Sequence, residues 1–100
     1  MIINGYNISE FVVTTYADMF ERKAVLAYTS DGEFYGDVTI NIPSYFLYEG
    51  ESFLSADCPD LIDAMVKNGY LIITNEVRVN LGTYKVGRFT QKFVDEFESN

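Results

Sequence analysis

The chain has 100 residues, about half of them hydrophobic, with sixteen Phe or Tyr, no histidine and a formal net charge of −8. That is enough apolar material for the core of one domain spanning 1–100, and too much for a disordered chain. The composition excludes the commonest general base and metal ligand and every Ser-His-Asp arrangement, and no stretch approaches the ~18 consecutive apolar residues of a membrane helix.

MIINGYNISE opens the chain without a basic segment followed by an apolar run, so no signal peptide is expected. Residues 10–16, EFVVTTY, are β-branched and aromatic and predict a strand. Residues 17–21 form an irregular link. Residues 22–29, RKAVLAYT, and 33–42, EFYGDVTINI, predict two more strands. Asp31-Gly32 between them signals a two-residue hairpin turn, because a type I′ turn needs φ > 0 at both central residues. That turn pairs Thr29 with Phe34, Ala27 with Gly36 and Val25 with Val38. Alternation then assigns Phe34, Val38, Ile40 and Ile42 to the core face, and Tyr35, Asp37, Thr39 and Asn41 to the other. Tyr28 and Leu26 share the second face with Tyr35. This half-apolar face needs cover from the N-terminal strand, the tail or another chain.

Pro43 ends the strand, since it cannot donate to a ladder. SYFLYEGESFL after it predicts a loop with a poor strand or two inside. ADCPDLIDAMVKNG predicts a helix, capped by Asp57 or Cys58, with Pro59 in the first turn and Asn68-Gly69 as the left-handed stop. Leu61, Ile62, Met65 and Val66 form its expected buried stripe. Residues 70–74, 77–81 and 83–86 predict short strands. Phe89, Phe93, Val94 and Phe97 recur at helical spacing behind Thr90, a cap, although QKFVDEF also tolerates a strand. The expected fold class is α+β: a small antiparallel sheet of about four to six strands with one or two helices packed on one face.

Residues 31–63 hold eight carboxylates and no Lys or Arg, while the flanks balance seven acidic against seven basic residues. The middle of the chain therefore carries the whole net charge. Direct binding to nucleic acid is disfavoured, because it depends on Lys and Arg displacing counterions. A basic protein surface is the natural complement, and plain solubility is the simpler explanation of the same charge. With one cysteine, Cys58, no intrachain disulfide can form, and a cytoplasmic setting is the default expectation.

The run DGEFYGDVTINIP, the acidic aromatic loop and SFLSADCPDLIDAMVKNG together resemble a family of small proteins carried by phages, plasmids and integrative elements, classed as a domain of unknown function. The shared pattern is a hairpin with a DGE-type turn, a threonine-rich strand ending in Asn-x-Pro, and a helix opened by Cys-Pro. The resemblance covers about residues 10–70 and departs after Gly69. It implies a mobile-element accessory protein that acts by binding a host protein, and it lends no catalytic residues.

Catalytic chemistry finds little purchase. Cys58 at a helix start lacks a His partner, and Asp57 and Asp60 oppose thiolate formation. Paired carboxylates for glycoside hydrolysis need a cleft that so small a sheet scarcely provides. No phosphate-binding glycine motif occurs. Asp57, Asp60 and Asp63 could offer oxygen ligands to Ca²⁺ or Mg²⁺, but complementing the helix dipole explains them without a metal. The expectation is therefore no enzyme, no cofactor and no metal.

Tyr45, Phe46, Leu47 and Tyr48 run consecutively beside Glu49 and Glu51. Either the segment lids the end of the sheet or it exposes an aromatic anchor with an acidic rim. The expected protein-binding residues are Tyr45, Phe46, Tyr48, Glu49, Glu51 and Asp37, with a host protein of basic surface as partner and a homodimer as a further expectation. The alternative is a nucleic-acid mimic, whose 31–63 carboxylates occupy the basic groove of a restriction or CRISPR enzyme.

Overall fold

The computed structural model describes residues 1–17, 21–80 and 82–98. These form an α+β domain of two four-stranded antiparallel sheets and two short helices. Strands β1 (Ile2–Ile3), β2 (Tyr6–Thr15), β3 (Lys23–Thr29) and β4 (Phe34–Asp37) make the first sheet in that order. Strands β5 (Thr39–Ile40), β6 (Glu51–Leu54), β7 (Leu71–Val79) and β8 (Gly82–Phe89) make the second, in the order β5-β6-β8-β7. Helix α1 spans Pro59–Lys67, and α2 starts at Gln91–Phe93 and continues as a wider π-type turn over Val94–Glu98. Of the expected link at 17–21, residues 18–20 lie outside the described residues, as does Leu81.

The predicted strand 33–42 is two strands in two sheets. Val38 is the corner between them. Its N–H donates to Val25 in the first sheet (2.9 Å), and its carbonyl accepts from Ser55 beside the second (2.9 Å). Its side chain is fully buried between them. The predicted strands at 70–74 and 77–81 are one, β7, with a bulge between Ile73 and Asn75 that absorbs the polar interruption.

The hairpin departs from expectation at its tip and agrees beyond it. Gly32 alone has positive φ (83°), whereas a type I′ turn needs two such residues. Gly32 N donates to Thr29 O, and Thr29 N donates to Glu33 O. The loop is therefore one residue longer, and Tyr28 rather than Thr29 faces Phe34. A bulge at Tyr35 then restores the expected register, with Ala27 opposite Gly36 and Leu26 opposite Asp37. The displaced residue is Phe34. It shares the outward face with Tyr28 and is 56% exposed, so it does not belong to the core.

The main core lies between the inward face of the first sheet, one face of the second, and the two helices. Helix α1 contributes Leu61, Ile62 and Met65. Val66, expected in this stripe, is exposed. At about 100° per residue it falls some 90° from the centre of the arc that the other three define. Cys58 is the N-cap, Pro59 opens the first turn, and Gly69 (φ 80°) ends the helix as expected. The tail is helical. Thr90 Oγ1 accepts from Phe93 N (3.3 Å) and donates to Gly69 O (2.6 Å), which ties the start of α2 to the end of α1. Lys92 adds a bond to Asn68 O (2.7 Å).

Close approach decides two glycines: Gly87, where a Cβ would sit 2.9 Å from Ile72 O, and Gly36. A Cβ on Gly36 would sit 2.5 Å from Cys58 Sγ. Gly36→Ala is expected to destabilise the fold by about 1–3 kcal/mol through overpacking. Most of that loss should disappear in the Gly36→Ala, Cys58→Ala double variant, measured by denaturant midpoints. Equal losses in both backgrounds would show that the contact is not the cause.

Candidate functional site

The segment between β5 and β6 folds over the outer face of the second sheet. Pro43 stops β5, and Gly50, with φ 84°, turns the chain back into β6. Leu47 points inward and joins Phe53, Val77 and Val86 in a second, smaller core. Its neighbours therefore point outward: Phe46 is 64% and Tyr48 72% exposed, with their rings edge to face at 5.5 Å. Tyr45 is partly covered by edge contact with Phe53 (5.8 Å). Lid and exposed patch, set as alternatives from the sequence, are thus two sides of one loop.

Two buried charged groups hold the loop from beneath. Arg22 stacks over the Phe53 ring at 5.7 Å. Its Nη1 donates to Ile42 O (2.9 Å) and Asn41 Oδ1 (3.4 Å), and its Nη2 donates to Tyr45 O. Glu51 accepts from Tyr48 N (2.8 Å) and from Thr74 Oγ1. Guanidinium and carboxylate are well suited to this, because charge-assisted bonds are stronger than neutral ones where solvent is excluded.

Of the expected binding residues, Tyr45, Phe46, Tyr48 and Glu49 come together on this loop. Glu51 does not sit on its rim. It is only 6% exposed, consumed by the bonds that fix the loop, which corrects its assignment to a surface patch. Asp37 is elsewhere, on the outward face of the first sheet opposite Leu26. Two open grooves flank the loop. One, of about 470 Å³, runs between Tyr45, Phe46 and Tyr48 and the β7 residues Asn75 and Val77. The other, of about 510 Å³, lies between Tyr48 and Glu49 and the start of β3.

The 31–63 carboxylates fall into two regions: those of β4 and the start of α1 adjoin, since Asp37 and Asp57 both act on Cys58, which abuts Gly36, while Glu49 lies apart on the loop. Asp31 and Glu33 stand on the hairpin tip, Asp57, Asp60 and Asp63 around the start of α1, and Glu49 on the loop. The loop is bonded to Arg22 just before β3, and the hairpin tip follows the far end of β3 at Thr29. Seven residues of strand separate them by roughly 20 Å. Asn4 donates to Asp60 (3.0 Å), so part of the helix-start group is engaged within the fold. Among the described residues no three His, Cys, Asp or Glu are grouped to hold a metal ion.

Truncation of Glu51 is expected to cost about 1–3 kcal/mol, because Tyr48 N–H loses its acceptor and the Thr74 hydroxyl keeps only its longer bond to Val86 O (3.3 Å). In a double-mutant cycle Glu51→Ala and Thr74→Val should be strongly non-additive. Simple additivity in urea unfolding would mean that the pair does not couple the loop to β7.

Cys58 is half-buried at the start of α1. Burial first, and then the nearby charges of Asp57 and Asp37, push its thiol pKa up. Thiolate formation is thus disfavoured at neutral pH, and alkylation by iodoacetamide should keep accelerating beyond the pH at which a free thiol levels off. Asp57→Asn should shift the profile to lower pH. A plateau below neutrality would contradict this account.

Sequence reasoning missed Arg22. An arginine before an apolar strand carries no local sign that its guanidinium will be buried, and its acceptors lie about twenty residues ahead. Among the described residues no helix is long and apolar enough to cross a membrane. Compared with protein-family models, with curated proteins and with solved structures, the chain finds no match in any of the three.

Proposed function

We propose that this chain is a protein-interaction module that uses the loop at 43–50 as its anchor, and that it serves as a mobile-element accessory protein that binds and modulates a host protein. The observation that carries the reading is the loop's construction. Two large rings, Phe46 and Tyr48, are held outward on a backbone fixed by Leu47, Arg22 and Glu51. Aromatic anchors on a pre-ordered backbone bind with little entropy left to lose. Glu49 beside them and the net charge of −8 favour a partner whose contact surface is basic at its rim. The motif resemblance over about residues 10–70 supports the mobile-element setting. No catalytic role is proposed.

A phosphate mimic would need its carboxylates in one track, and here Glu49 on the loop stands apart from those of the hairpin and the helix start, with Glu51 buried between. That division favours the aromatic anchor over the mimic. Affinity capture from host lysate, with quantitative mass spectrometry, tests the assignment. Phe46→Ser, Tyr48→Ser should lose the retained partner, while Glu33→Gln, Asp37→Asn should keep it. Retention by the loop variant and loss by the charge variant would overturn the reading in favour of the mimic.

A further inference from the structure

The register of the first sheet builds a second surface, remote from the loop. Directly opposed residues of antiparallel strands share a face. Val12 on β2, Leu26 on β3 and Asp37 on β4 form one row; Glu10, Tyr28 and Phe34 form the next. Phe34 and Val12 are largely exposed, and Tyr28 meets Phe34 edge to face at 5.6 Å. Glu10 and Asp37 are exposed at opposite corners of this grid, with Asp31 and Glu33 on the adjoining turn. No Lys or Arg stands in either row.

At the Asp37 end of this face Tyr16 reaches across to Thr39 (2.9 Å), and Leu26 and Tyr28 are half-buried, while Glu10, Val12, Phe34 and Asp37 stand open. The tail, which could have covered them, packs on the other side of the sheet, where Phe97 meets Phe11 at 4.7 Å. Strand β1 extends the sheet beyond β2 instead of folding across it. A second copy of the chain is a poor occupant. Face-to-face pairing would set the carboxylates of Glu10 and Asp37 against those of the other copy, with no cation on either face.

We infer that the outward face of the first sheet is a docking surface for an extended, arginine-rich protein segment. Guanidinium groups stack on exposed aromatic rings and pair with carboxylates, and this face offers both side by side. Spacing agrees with an extended occupant. Rows two residues apart on a strand repeat at about 7 Å, as do alternate side chains of an extended segment. Arginines at every second position can therefore engage successive rows. This inference is independent of the loop and survives if the loop binds nothing.

The test is an NMR titration of the ¹⁵N-labelled protein with an acetylated, amidated Arg-Thr-Arg-Thr-Arg peptide, beside its Gln-for-Arg counterpart. The expected result is saturable shifts at Glu10, Val12, Leu26, Tyr28, Phe34 and Asp37 with the arginine peptide only. Phe34→Ser should weaken binding about tenfold, as should Glu10→Gln, Asp37→Asn. Phe46→Ser, Tyr48→Ser should leave it unchanged, which separates this surface from the loop. Should Phe34→Ser fail to fold, the charge variant decides alone. Shifts centred on Asp57, Asp60 and Asp63 or on the loop, or no shifts at all, would overturn the inference. So would a dimer in sedimentation equilibrium that Phe34→Ser abolishes.

Discussion

Phe93→Ala is expected to destabilise the fold by about 3–5 kcal/mol. Phe93 is fully buried in the main core. Its ring meets Phe89 at 4.7 Å, Phe97 at 5.2 Å and Phe11 at 5.4 Å, and so joins the tail to both sheets. A cavity there cannot be refilled cheaply, because its walls are stiff aromatic rings fixed on three separate elements. Chemical denaturation would measure the loss. A cost below about 1 kcal/mol would mean that the tail is a loosely docked appendage, contrary to the packing described.

Arg22→Met is expected to cost about 2–4 kcal/mol and to release the loop. Methionine keeps much of the apolar stem over Phe53 but removes the donors. The carbonyls of Ile42 and Tyr45 are then left without the guanidinium that they share. Arg22→Lys should not rescue the effect, because one ammonium is a point charge that cannot reproduce a planar fork aimed at two carbonyls. Hydrogen exchange supplies the local readout: protection of Tyr45 and Glu51 amides, which donate to Ile42 O and Tyr48 O, should collapse while protection in β3 and β8 persists. Equal protection in the variant would mean that Leu47 alone holds the loop. Lowered affinity at an unchanged contact surface is the functional consequence, since the binder must then order its own loop.

These two residues also show how far the sequence could be followed. Phe93 was legible: it repeats with Phe97 at helical spacing behind the Thr90 cap, whereas Phe89, read into the same period, ends strand β8. The α1 stop at Asn68-Gly69 was legible for a similar reason, because its chemistry is local. The hairpin was legible beyond Gly36 and misjudged at the tip. A three-residue loop and a compensating bulge at Tyr35 leave the distant register intact while turning Phe34 outward, and no local pattern reports two offsets that cancel. The division of 33–42 between two sheets at Val38 is a tertiary event as well: a strand of even alternation gives no sign of where it will bend. Arg22 and Glu51 were legible only as charges. What buries them is the loop that they hold, and contacts of that range are decided by the fold as a whole. Hence Glu51 seemed part of an acidic rim and proved to be a fastener.

The central claim is that the 43–50 loop binds a protein through its rings rather than through charge. It is tested most directly by the salt dependence of partner retention by the unmodified chain on affinity capture, from low to high salt. The account predicts one specific partner kept across the whole range, because apolar anchoring is only weakly screened. A nucleic-acid enzyme held at low salt and steeply lost at high salt would contradict it, and would make the exposed carboxylates the site instead.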